Sequence, residues 1–435
     1  MARRLSSTGG GFAEDFAALV AARRGGPGDI EADVAKILAA VRARGDDAVI
    51  EYTSRFDRLE LTPQTMAIGA EEFAAAEAAC PPEALEALEL AARRIEAYHR
   101  RQLPRDESFT DEAGLSLGWR WQPIAAVGVY VPGGRAAYPS SVLMNVLPAR
   151  VAGVPRIVMT VPAPGGALNP LVLAAARHAG VTEAYRLGGA QAVAALAFGT
   201  ATIAPVDKIV GPGNAWVAAA KRQVFGTVGI DMVAGPSEVL VVADADNDPD
   251  WIAIDLLSQA EHDAAAQSIL ITDDAGFADA VEKAVIARLA TLPRAAIAGE
   301  SWERNGAVIV VADLAAEAPA LIDALAPEHL ELAVADPGFL AGAVNNAGAI
   351  FLGRFAPEAV GDYIAGPSHV LPTDRSARFA SGLSVLDFVK RTSVIGCDAG
   401  ALAAVGPAAV TLAEAEGLDA HALSIALRLN LPTGR

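Results

Sequence analysis

The chain has 435 residues and a mass of 44.6 kDa, 53% of it hydrophobic and 20% charged. That length exceeds one simple core and predicts two main domains with appendages, while the composition excludes a disordered chain. A formal net charge of −18 speaks against nucleic acid and anionic membranes as partners, since both need a basic face.

Two cysteines, Cys80 and Cys397, form no C-x-x-C pair and no disulfide framework, so a reducing compartment is expected. The stretch after Met1 carries two arginines but no apolar core of a signal peptide, and no run reaches the ~18 apolar residues of a membrane span. A soluble, cytoplasmic protein is the expectation.

After Gly9-Gly10-Gly11, residues 12 to 100 read as helices rich in alanine and charge, including 30–44 and 71–101. Gly45-Asp46 and Cys80-Pro81-Pro82 interrupt them. His99 is expected to be exposed at a helix end, and His178 to lie in the core or partly exposed on a helix. From about residue 119 the texture changes. Strands at 125–131, 157–161, 185–187, 208–210 and 239–243 alternate with helices at 141–151, 171–179 and 191–198 and another after Asn214. A second series follows: helix 251–265, strand 269–272, helix 276–290, strand 307–311, helix 315–325 and strand 349–352. A tail ends in a helix over 418–429.

Such alternation means parallel, doubly wound sheets. The expected fold class is therefore α/β, with two tandem doubly wound, incompletely Rossmann-like parallel-sheet domains, a helical N-terminal arm and a C-terminal tail. The arm spans 1–24. One α/β domain combines 25–128 with 239–383 and carries the candidate metal and catalytic motifs. The other, 129–238, carries three glycine turns, and 384–435 is the tail.

On the helix near 255, Asp255, Gln259 and His262 share one face. An imidazole and a side-chain oxygen on rigid backbone are two of the ligands that zinc or a similar ion needs. Taken alone, the segment reads more readily as a solvated polar face; the polar clusters elsewhere tip the balance.

No G-x-G-x-x-G with a downstream acid is present, which removes the common dinucleotide fingerprint. Three glycine turns stand at strand-to-helix junctions instead: Pro132-Gly-Gly134, Gly188-Gly-Ala-Gln191 and Gly211-Pro-Gly-Asn214. Glycine lets backbone approach a ligand, and helix N-termini favour phosphate. Each turn alone needs no ligand to explain it. Three at one sheet edge point to a ligand crevice, with Tyr130, Gln191 and Asn214 placed to read what lies there.

Gly235-Pro-Ser237-Glu238 and Gly366-Pro-Ser368-His369 mirror one another, and Ser237 is either a donor to a substrate or an ordinary turn residue. Glu328 and His329 follow Ala326-Pro327 and are expected to project from a turn as the pieces of general acid–base chemistry. Asp362, Glu416 and His421 stand in further polar clusters. Gln259, His262, Asp362 and His421 would supply nitrogen and oxygen ligands without a thiolate, which suits a working metal better than a structural one.

With Gln259-Ala-Glu-His262, Pro327-Glu-His329-Leu-Glu-Leu, Gly361-Asp-Tyr, Ala420-His421, Gly128-Val-Tyr-Val-Pro-Gly-Gly134 and Asp207-Lys-Ile-Val-Gly-Pro-Gly-Asn214, the chain resembles the histidinol dehydrogenase family over nearly its whole length. The resemblance implies oxidation of L-histidinol via L-histidinal to L-histidine, the last two steps of histidine biosynthesis, with two NAD+ and a bound zinc. It implies zinc at Gln259, His262, Asp362 and His421, holding the substrate's imidazole and amine. NAD+ would lie against Tyr130, Gln191 and Asn214. Substrate would contact Ser237, Gln259, His262, His329, Asp362, Glu416 and His421, with His369 nearby. It also implies His329 as general base, Glu328 as the group that activates water, and a homodimer with exchanged tails whose sites are shared between subunits.

Three other readings compete. A zinc hydrolase could use the same Glu-His pair but has no use for a dinucleotide crevice. A non-catalytic interaction protein leaves the polar clusters unexplained. A paralogue oxidising another small alcohol is countered by Glu416 and His421. Neither cysteine falls in a motif, so a cysteine nucleophile has no support.

Overall fold

A computed structural model of the chain describes residues 2–22, 30–133 and 138–432. Gly134 of the first glycine turn therefore lies outside the described residues. The chain divides into two compact units, Met1–Gln102 with Ala125–Phe388, and Leu103–Ile124 with Val389–Arg435.

The first unit holds two parallel sheets. The larger has six strands in the order Arg3–Ser6, Ala307–Val310, Gln267–Thr272, Glu238–Ala243, His329–Ala333 and Ala349–Leu352. The smaller has five, in the order Glu183–Tyr185, Arg156–Thr160, Ala126–Tyr130, Lys208–Val210 and Gly229–Ile230. The α/β class with parallel sheets is as expected. Helices cover both faces of the larger sheet, which is why its central strands Glu238–Ala243, Gln267–Thr272 and His329–Ala333 are buried throughout rather than on alternate residues. Leu240 and Val242 join Ile269, Ile271, Leu330 and Leu332 in one core, and Val239, Val241 and Ala243 face the helix Pro249–Ala260 in another.

Several features differ from the expectation. The N-terminal arm begins as an edge strand, with Leu5 buried and paired with Ile309, before its helix Phe12–Ala21. Helices Ile30–Arg44 and Asp46–Asp57 do not join the sheet that contains 239–243. Their apolar stripe of Val34, Ile37, Leu38, Val41 and Val49 packs with Leu196, Ile209 and Val217 on the five-stranded sheet. An amphipathic pattern reveals that a helix has a buried face, not which sheet receives it.

The third difference is His99, which is fully buried. It continues the stripe Leu88, Ala91, Ile95 of the helix Pro82–Arg100, so its position is set by helical spacing rather than by its neighbours Arg100 and Arg101. Its Nδ1 lies 2.7 Å from Gln102 Oε1. The fourth is a helix at Ala295–Asn305 that the pattern reading passed over; Ala298, Ser301 and Trp302 are its buried residues, three and four apart on one face. His178 is half-buried, with its Nε2 3.5 Å from Glu77.

The second unit contains an antiparallel sheet of Val389–Gly396, Ser116–Pro123 and Glu107–Thr110. Helices Ala399–Ala415 and Asp419–Ala426 pack on each other within it. The tail is thus a strand followed by two helices, where only a terminal helix was expected.

Candidate active site

The glycine turns sit where parallel strands end. Tyr130 closes the strand Ala126–Tyr130, and its buried hydroxyl accepts a hydrogen bond of 3.1 Å from the Gly189 N–H. Burial pushes the Tyr130 phenol up to about 12, so it stays neutral. Gln191, on the first turn of the helix Gly189–Phe198, is 1% exposed, and its Oε1 has no hydrogen-bond partner among the described residues. A buried orphan acceptor costs free energy unless a ligand meets it. Asn214 is exposed and caps the helix Ala215–Val224, its Oδ1 accepting from the N–H groups of Trp216 and Val217 at 3.1 and 3.2 Å.

The acid–base pair sits at the opposite kind of edge. His329 does not project from a turn; it is the first residue of the strand His329–Ala333, paired in register with Val239 and Ala349. Glu328 precedes it, and both are buried. His329 Nδ1 lies 3.0 Å from the carbonyl of Glu238, an acceptor only, so Nδ1 carries the proton and donates it. That leaves Nε2 with the lone pair and without a hydrogen bond among the described residues, 3.7 Å from Asp362 Oδ1. Glu328 Oε2 accepts from the Glu238 N–H at 3.0 Å and lies 3.7 Å from His329 Nδ1.

Asp362 approaches because of glycine. At Gly361 a Cβ would stand 2.5 Å from the Phe351 ring, so no other residue lets the helix Glu358–Tyr363 pack so close. His369 adds a second imidazole, its Nδ1 3.0 Å from the carbonyl of Asp362 and its Nε2 3.3 Å from Ser141 Oγ. Gln259 is fully buried at the end of the helix Pro249–Ala260, and His262 follows in the turn. The amide orientation that satisfies both ends of Gln259 has its oxygen accepting from His262 Nδ1 at 3.1 Å and its nitrogen donating to Glu358 Oε1 at 3.0 Å.

Glu358 escaped the sequence reading. It is buried, 3.7 Å from His329 Nδ1, with its Oε2 unpartnered among the described residues. The signal for it was present: Ala356-Pro357-Glu358 repeats Ala326-Pro327-Glu328. Beneath it, Glu331 is buried with Asp255, and its Oε1 accepts from the Glu358 N–H at 2.5 Å.

Crowded buried carboxylates set the electrostatics. Burial pushes Glu328 up to about 8 against the pull of His329. Burial raises Glu358 as well, and raises Glu331, which the neighbouring Asp255 raises further; burial raises Asp255 to about 6 against a hydrogen bond with Glu331 that lowers it. For His329 burial works downward, but Glu358, Glu328 and Asp362 outweigh it and hold the imidazole well above its ordinary value. Asp362 is the exception among the acids: burial raises it, yet His329, His369 and His262 together draw it below the usual carboxylate range.

His329, Glu358 and Asp362 offer ligand atoms within 4.8 Å of one another. Asp362 belongs both to this group and to the expected set of Gln259, His262, Asp362 and His421. Of that set, Gln259 and His262 are in mutual contact, whereas His421 and Glu416 are exposed residues of the second unit. A cavity of about 140 Å³ joins the two halves of the first unit. Gly211, Pro212, Gly213, Ser237, Glu328 and His369 are among the residues that line it. Among the described residues, no helix is long and apolar enough to cross a membrane.

A sequence model of the family described as "Histidinol dehydrogenase" matches residues 22–429. Histidinol dehydrogenase from Rhodospirillum rubrum is 65% identical over 430 residues, covering 99% of each chain. That of Rhizobium meliloti is 63% identical over 431 residues, again covering 99% of each. The crystal structure of histidinol dehydrogenase from Elizabethkingia anophelis superposes with a TM-score of 0.94 at 35% identity, covering 99% of this chain and 98% of that one.

Proposed function

The chain belongs to the histidinol dehydrogenase family, and on that premise we propose that it oxidises L-histidinol via L-histidinal to L-histidine, the last two steps of L-histidine biosynthesis, with two NAD+ and one zinc per subunit. The observation that carries the reading is the cavity lined both by a glycine turn and by Ser237, Glu328 and His369. A dehydrogenase needs that juxtaposition of a nucleotide cradle and acid–base groups, and a hydrolase does not.

The residues suit both ligands. Gln259, His262 and Asp362 supply oxygen and nitrogen donors in one cluster, and the partner subunit's His421 would complete the set in a homodimer. Zinc there would hold the substrate's imidazole and amine. Tyr130, Gln191 and Asn214 would hold NAD+, the hydride acceptor, with the orphan Gln191 Oε1 free to accept from it. Ser237, His329, His369 and Glu416 would contact the amino alcohol. In domain terms, residues 129–238 form the nucleotide half and 239–383 the metal and catalytic half, while 384–435 exchange between subunits.

The acid–base steps follow from the buried pair. His329 Nε2 takes the hydroxyl proton in the first oxidation, because Nδ1 is committed to the Glu238 carbonyl. Glu358, Glu328 and Asp362, which hold the imidazole well above its ordinary value, make its neutral form a stronger base for that proton than an ordinary histidine. Glu328, whose raised pKa makes its carboxylate a stronger base than an ordinary Glu, activates the water that adds to the aldehyde. His329 then takes a proton from the resulting diol in the second oxidation.

The test is to mix zinc-loaded protein with L-histidinol and NAD+ and follow reduced nicotinamide by absorbance. Two equivalents per histidinol, with histidine as product, are expected. One equivalent with aldehyde released would contradict the role of Glu328, and none would point to a different small alcohol as substrate.

A further inference from the structure

Lys221 is a lysine where helical spacing demands an apolar residue: in the helix Ala215–Val224 it shares the inward face with Val217 and Val224. Its side chain is 3% exposed and pairs with Asp231, which is 1% exposed. Neither residue has a part in the acid–base scheme above. Removing two charges from water is expensive, and a buried ion pair is often no more stabilising than apolar residues of the same volume. What the pair holds is therefore more informative than what it contributes to stability.

It holds the backbone on both sides of one residue. The Gly211 N–H donates to Asp231 Oδ2 at 2.8 Å, and the Gly211 carbonyl accepts from Lys221 Nζ at 2.9 Å. Asp231 Oδ1 accepts from the Met232 N–H at 2.6 Å. Gly211 itself has φ +113°, and a Cβ there would stand 2.1 Å from the Tyr130 carbonyl. The backbone is thus pressed against the end of the neighbouring strand, and both of its polar groups are taken by the ion pair. Three residues on, Asn214 fixes the far end of the same turn by capping the helix that carries Lys221. Lys221 and Asp231 also line the cavity, together with Gly211, Pro212 and Gly213.

We propose that Lys221 and Asp231 are positioning residues for the dinucleotide: their buried ion pair locks the Gly211 backbone and so sets the height of the turn Gly211–Asn214 against the cavity. The inference rests on the NAD+ reading above. It predicts a selective defect, because the hydrogen bonds of the pair run to the backbone of Gly211 and Met232.

The test compares wild type with Lys221→Met/Asp231→Asn, which removes both charges together and avoids an unpaired buried ion. Folding is checked by thermal melting, NAD+ binding by quenching of tryptophan fluorescence, and initial rates are measured against each substrate. A shift of the turn by a fraction of an ångström is expected to raise the KM for NAD+ about ten-fold or more while that for histidinol stays within about two-fold. Asp231→Asn alone leaves the buried Lys221 ammonium without its counter-charge, and is expected to show the same split together with a lower melting temperature than the double variant. A folded variant with unchanged NAD+ binding and KM, or one whose two KM values rise together, overturns the inference. Wild type that neither binds nor reduces NAD+ would overturn the cofactor reading itself, and that outcome is separate from any comparison of variants.

Discussion

His329 is held by its surroundings rather than by its own backbone conformation: Nδ1 is pinned to the Glu238 carbonyl, and Nε2 is left free toward Asp362. Replacing it with alanine removes the base but leaves Gln259, His262 and Asp362 in place. His329→Ala is expected to abolish turnover while zinc and NAD+ still bind, measured by metal analysis and fluorescence titration; loss of zinc would contradict the assigned role. Glu328 makes a second prediction, for stability. Its pKa is about 8 in the fold against 4.5 for the free side chain, so the fold binds this proton more tightly than the unfolded chain does. That contribution is complete below 4.5, declines across the window, and is lost above about 8. In metal-free protein, wild type should lose melting temperature from about pH 5 to pH 8 more steeply than Glu328→Gln, which cannot ionise. Equal slopes would remove the buried protonated acid from the account.

At the scale of elements, the site depends on two close approaches. The helix Glu358–Tyr363 brings Asp362 to His329 only because Gly361 leaves room for the Phe351 ring. Gly361→Ala should push that helix outward and cost about a hundred-fold in kcat/KM, since misplacement by an ångström is enough for such a loss. An activity close to wild type would mean that the helix adjusts freely. The helix Pro82–Arg100 carries the opposite sign of pH effect. Burial draws His99 below its ordinary value of 6.5, against the pull of Gln102, so its neutral form stabilises the fold above that value and the contribution is lost as pH falls through the lowered one. The urea midpoint of wild type should therefore drop below about pH 6.5 more sharply than that of His99→Leu.

At the scale of the whole molecule, His421 and Glu416 belong to a unit separate from the one that gathers His329 and Asp362. If the partner subunit's His421 completes each site, mixing inactive His329→Ala and His421→Ala proteins and allowing subunits to exchange should restore activity. In each mixed dimer one site receives both intact residues and the other neither, so about a quarter of wild-type activity is expected from random pairing. If His421 served its own subunit, every site would stay defective and the mixture would remain inactive.

The order of strands and helices was legible along the chain, because period and turn residues are local properties. The α/β class, the helix Ile30–Arg44 and the strands at 239, 269, 307 and 349 follow from them. Long motifs likewise brought Gln259, Glu328, His329 and Asp362 into view as a chemical set. Other features could only be decided in three dimensions. Which sheet receives the helices at 30–57, and the sheet position of His329, depend on contacts between residues far apart in the chain. Burial of Glu358, Lys221 and Asp231 is likewise a property of what surrounds a charge, and sequence carries no measure of that. Residue type states which groups can transfer a proton or meet a metal. Only packing decides which of them are desolvated, which nitrogen of His329 stays free, and which ion pair holds the turn at Gly211.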